Sequence, residues 1–141
     1  MATQLKESFS VSNADEAWSK ISDVNTLIPC VPGAKVLEAE SDTKAKAQID
    51  VNMGSMAMSF TGPVEIIEKD DSSKRAVIKA QAKEKGGQSN ADGTVTIQIG
   101  GDGGTVDANA NVGGKAASMG EGTVQAVLQA LIKQFSQNVS N

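Results

Sequence analysis

Histidine and tyrosine are missing altogether from this 141-residue chain, and cysteine and tryptophan occur once each. Without histidine the commonest general base and the commonest metal ligand are both gone, so no Ser-His-Asp or Cys-His arrangement can be assembled. Without tyrosine there is no phenolic acid or oxyanion donor. The single cysteine, Cys30, excludes an internal disulfide and every zinc-ligand spacing. Neither a metal nor a cofactor is expected, and any catalysis would fall to carboxylates, lysines and hydroxyls. Three Phe and one Trp offer little for bases to stack on, and a net charge of −4 gives no attraction to phosphates. Nucleic acid is therefore not an expected partner. No stretch approaches the ~20 apolar residues of a membrane helix, and the N-terminal MATQLKESFS lacks the apolar segment of a signal peptide. The expectation is one cytoplasmic domain over residues 1–141.

What the chain does have is alternation. Leu5, Phe9 and Val11 alternate with Lys6, Ser8 and Ser10, the period of a half-buried strand, with Glu7 on the apolar side. Asn13 and Glu16 then have the spacing of a capping box, opening a helix whose buried stripe is Ala17, Trp18 and Ile21. A second short helix, DVNTLI, is expected to stop at Pro29, because the residue before proline is pushed out of helical geometry. From Ala34 to Val112 the pattern is strand after strand, joined by ESDTK, Gly54-Ser55, EKDDSSK, EKGGQSN and GGDGG. After Gly114 the period changes. Val124, Val127, Leu128, Leu131, Ile132, Phe135 and Val139 recur at three- and four-residue intervals, predicting a long amphipathic helix. Short links between consecutive strands predict an antiparallel sheet, and strands grouped apart from helices predict an α+β fold. About seven strands should curl around the C-terminal helix, with two short helices after the first strand.

Several features invite a functional reading. GGDGG lies between two strands and precedes no helix, so it reads as a hairpin rather than a phosphate loop. Lys79, Lys83 and Lys85 read as a solvated strand face. Asp70-Asp71 sits in a turn and is expected to be solvated. Met53, Met56 and Met58 are either core filler or an adaptable cavity wall. Opposite them Ala76, Ala80, Ala82, Ala108 and Ala110 are all small, which can leave apolar space unfilled. Glu7 is either an acid in an apolar setting or an edge residue reaching water. Residues 116–122, with Gly120 and Gly122, are either a mobile gateway to that space or a late-starting helix.

ESF at 7–9, ADEAWSKISDVNTLIPCVPGAKVLE at 14–38, FTGPVEI at 60–66 and VGGKAASMG at 112–120 together resemble the CoxG family of carbon monoxide dehydrogenase subunits. That family belongs to the START-like, polyketide-cyclase-related superfamily with a helix-grip fold. The resemblance implies an apolar cavity between the sheet and the C-terminal helix. It also implies an accessory role beside a molybdenum-containing dehydrogenase, through membrane recruitment or a quinone acceptor. Longer members carry a C-terminal anchor that this chain, ending at Asn141, lacks, so no membrane anchor is expected.

The resulting expectation is a non-enzymatic protein that binds an apolar small molecule, quinone- or lipid-like. The cavity is expected to be lined by Ile49, Val51, Met53, Met58, Phe60, Ile78, Ala80, Ile97, Ala108, Ala110, Met119 and Leu128. Leu27, Ile28, Cys30 and Val31 would form its rim. Assembly with or recruitment of a molybdenum hydroxylase, and a small cyclase- or hydratase-type enzyme working through Glu7, are the alternatives. Cys30 itself, between Pro29 and Pro32, reads as part of a stiff junction rather than a nucleophile.

Overall fold

The computed structural model describes residues 1–101 and 103–140. The elements run β1 (Ala2–Ser10), α1 (Ala14–Ile21), α2 (Val24–Leu27), a 3-10 turn (Ile28–Cys30), β2 (Ala34–Ala39), β3 (Lys44–Met53), β4 (Met56–Asp70), β5 (Arg75–Glu84), β6 (Ser89–Ile99), β7 (Gly103–Gly114), a second 3-10 turn (Ala117–Met119) and α3 (Glu121–Ser140). The strands form one curved antiparallel sheet in the order β1-β7-β6-β5-β4-β3-β2. Strands β2 to β7 are sequential neighbours, and only β1 pairs out of sequence, with β7. Because the helical segment 14–30 separates β1 from β2, the two edges of the sheet belong to the chain's first two strands. α3 lies across the concave face, the α+β helix-grip arrangement that the sequence predicts.

Local chemistry explains most of the boundaries. The Asn13 side chain accepts a hydrogen bond from the Glu16 amide at 3.0 Å and so caps α1. Asp23 caps α2 in the same way, accepting from the Asn25 amide at 2.9 Å. Gly33 turns the chain into β2 with φ of +81°, and a side chain there would strike the Asp50 carbonyl of β3. Bulges between Val36 and Glu38 and between Ile66 and Glu68 bend β2 and β4. Each leaves one apolar residue pointing to solvent: Leu37 is 44% and Ile67 53% exposed.

Three expectations change. Pro29 does not end the helical segment at Ile28, which keeps helical dihedrals (φ −56°, ψ −46°). The chain tightens into a 3-10 turn instead, where Pro29 occupies the first turn and its missing N–H costs no bond. Asp71 is not simply solvated, because its carboxylate accepts the Trp18 indole N–H at 2.9 Å. The turn expected over EKGGQSN is shorter: β5 runs through Glu84 and β6 already begins at Ser89. Ser89 is buried there, its Oγ accepting the Ala116 amide at 2.8 Å, which ties the strand to the segment leading into α3. Of the GGDGG hairpin, Asp102 lies outside the described residues, and the Gly100 amide bonds to the Gly103 carbonyl.

Candidate functional site

Two clusters of buried side chains pack between the sheet and the helices. One gathers Trp18, Ile21, Val24, Ile66, Ile78, Ile97, Val106, Phe135 and Val139 around α1, α2 and the C-terminal half of α3. The other gathers Met53, Met58, Phe60, Val112, Ala116 and Val124 around the start of α3. Between them lies a cavity of about 320 Å³, which draws its walls from both. That volume stands near the lower end of the range for small-molecule pockets, about 300–1,000 Å³.

The walls follow from the strand period. Ile78, Ala80 and Ala82 of β5, Gly93, Val95 and Ile97 of β6, and Val106, Ala108 and Ala110 of β7 project inward on neighbouring strands. Alanine and glycine at the centre of this surface leave the room. Gly62 on β4 contributes directly, since a side chain there would collide with the Gln81 carbonyl of β5. Leu128, Leu131, Ile132 and Phe135 of α3 close the opposite side, spaced to fall on one helical face. Gln48, Gln81 and Asn109 also border the space. By strand alternation their side chains point away from it, and Gln48 bonds Asp50 on the outer face at 3.2 Å. No residue bordering the cavity carries a titratable side chain.

Of the residues expected at the cavity, Ile49, Phe60, Ile78, Ala80, Ile97, Ala108, Ala110 and Leu128 border it, as do Leu27, Ile28 and Val31. Val51, Met53, Met58 and Met119 do not: they pack with the second cluster, beyond Phe60. The methionines thus fill space around the start of α3. Cys30 is buried but does not border the cavity. Its thiol donates to the Thr26 carbonyl at 3.5 Å, and its carbonyl accepts from Asn138 Nδ2 at 2.8 Å. Burial pushes the Cys30 thiol pKa up, with the Lys20 charge opposing. Lys20 Nζ also donates to the Asn138 carbonyl at 3.2 Å, placing a cation at the C-terminal end of α3 where the helix dipole favours one. The junction that the sequence marks as stiff is therefore the clamp on the end of α3.

Glu7 lies at the seam between β1 and α3, where Oε2 accepts from Gln129 Nε2 at 3.1 Å, and it does not border the cavity. Residues 116–122 form a 3-10 turn followed by the start of α3 at Glu121, the late-starting helix of the two alternatives. An open depression of about 460 Å³ runs outside, between Pro32-Gly33, Asp50–Asn52 and the exposed Ala126 and Ala130 of α3. It faces solvent broadly, and Leu131 borders both it and the cavity. Among the described residues no cluster of acidic or thiol side chains could hold a metal ion, and no helix is long and apolar enough to cross a membrane.

The architecture recurs in solved structures. A conserved protein from Geobacillus kaustophilus superposes with a TM-score of 0.75 at 22% identity, covering 99% of this chain and 93% of that one. An aromatase/cyclase from Streptomyces sp. R1128 gives 0.66 at 13% identity, covering 99% and 92%. Truncated norcoclaurine synthase from Thalictrum flavum gives 0.55 at 15%, covering 99% and 94%. At these identities the likeness is one of fold, the helix-grip, START-like fold. No curated protein matches the chain in sequence. The family match is far more extensive: residues 8–141 match CoxG, a family of carbon monoxide dehydrogenase subunits. With nearly its whole length matched, from β1 through α3, this chain belongs to the carbon monoxide dehydrogenase CoxG family.

Proposed function

We propose that the protein is a non-catalytic, cytoplasmic accessory that holds an apolar small molecule, quinone- or lipid-like, in the cavity between the sheet and α3. The observation that carries this reading is the wall itself: small and aliphatic side chains around about 320 Å³, with no titratable group bordering it. Such a surface supplies burial and dispersion but no proton donor, base or nucleophile. Enzymes such as the aromatase/cyclase and the synthase share the fold, but a fold carries many chemistries, and activity is argued from the site. Ile78, Ile97, Leu128 and Phe60 would make the principal contacts, with Leu27, Ile28 and Val31 at the margin. Native mass spectrometry of the purified protein, followed by solvent extraction, tests this directly. An apolar molecule at near one-to-one stoichiometry is expected. An empty protein that takes up none when exposed to membrane lipid and quinone extracts would overturn it.

The family supports a second reading, docking onto a molybdenum-containing dehydrogenase. Pull-down from native cells separates the two, because docking through the outer surface predicts a stable partner that survives enlargement of Ala108.

A further inference from the structure

Glu84 is the last residue of β5 and continues the inward row of Ala80 and Ala82. It pairs across the ladder with Phe60, which borders the cavity. Directly paired residues on one face of a sheet hold their Cβ atoms about 5 Å apart. One step beyond the Lys83–Asn90 pair, the β5–β6 register brings Glu84 opposite Ser89. Glu84 Oε1 is buried and has no hydrogen-bond partner among the described residues. Lys83 cannot serve, because strand alternation puts it on the outer, exposed face. Ser89 Oγ is engaged by the Ala116 amide. A carboxylate oxygen taken from water without a partner is costly, and folded proteins satisfy nearly all such atoms. An oxygen left open beside an apolar cavity marks where a donor from outside the chain would fit.

We propose that Glu84 is the polar end of the cavity, and that the bound molecule carries a hydroxyl there on an otherwise apolar body. This rests on the apolar-ligand reading above and narrows it. An ionised carboxylate offers acceptors only, so it pairs with a hydroxyl and not with a bare carbonyl or an ether oxygen. Among quinone-like molecules it selects the reduced, hydroxyl-bearing form; among lipid-like ones, alcohols over their ethers.

Displacement of a neutral fluorescent reporter, N-phenyl-1-naphthylamine, by 1-decanol and by decyl methyl ether provides the test on the intact protein. A hydrogen bond to a charged group predicts that the alcohol binds about tenfold or more tighter than the ether. Glu84→Met, of similar length and apolar, should erase that preference while keeping the affinity for the ether, and Glu84→Gln should weaken it. Equal affinities in the wild type, or a preference that persists in Glu84→Met, would overturn the assignment of Glu84 while leaving an apolar site intact. If neither compound nor the reporter binds, the apolar-ligand reading fails and this one with it. Should Glu84→Met not fold, the wild-type ratio and Glu84→Gln still decide.

Discussion

Ala80→Leu distinguishes a true cavity from a packed core by the sign of its effect. Ala80 borders the cavity on the central strand β5, with Val64 and Gly93 as its cross-strand neighbours, so a larger side chain there has somewhere to go. If the space is real, three added carbons gain about 0.8 kcal/mol each on burial. About 0.5–1 kcal/mol of leucine rotamer entropy opposes this, so a net stabilisation of about 1.5 kcal/mol is expected. For a chain of this length that raises Tm by roughly 5 °C. Urea titration followed by circular dichroism gives the free energy, and a melting scan gives Tm. The same substitution occupies the binding space, so added decanol should raise the Tm of the variant less than that of the wild type. Destabilisation by about 1–3 kcal/mol, as when a full core is overpacked, would refute the reasoning, because the volume would then not exist in solution.

Other outcomes follow from single contacts. Trp18→Phe removes the indole bond to Asp71 while keeping most of the buried ring, and should cost about 1–2 kcal/mol in urea unfolding. Cys30→Ser keeps a donor to the Thr26 carbonyl and should preserve fold and reporter binding. The wild-type thiol, its pKa raised by burial, should alkylate slowly below pH 9 and only at a pH above that of an unfolded control. Gly62→Ala sets a methyl group against the Gln81 carbonyl; with the β4–β5 ladder forced apart, Tm should fall and reporter affinity with it.

The fold is legible in the sequence because its signals are local and periodic. Alternation over Val106–Val112, the three- and four-residue spacing of Val124–Val139 and the Asn13 cap each specify an element without knowledge of its neighbours. Alternation also tells which side chains face inward, so Ile78, Ala80, Ile97, Ala108 and Ala110 group together without any knowledge of strand pairing. It does not tell how far along the concave face the packed layer ends. Met53, Met58 and Met119 point inward too, but the start of α3 covers that end and they fill it. Cys30 departs from its expected place for a different reason. A 3-10 turn runs through Pro29, and its rotation puts the thiol toward Thr26 rather than the cavity. Glu84 escapes a sequence reading because glutamate followed by Lys-Gly-Gly reads as turn. Extending the two-residue period of β5 by one step beyond Ala82 is the signal that finds it.

The location of the bound molecule is the point on which the account stands most directly. Methyl-labelled protein titrated with 1-decanol and followed by ¹H–¹³C NMR reports it residue by residue. The expected result is saturable shifts at Ile78, Ile97, Ala108 and Leu128, with the solvent-facing Leu37 and Ile67 unmoved. Shifts confined to the surface methyls, or none at all, would contradict a ligand site between the sheet and α3.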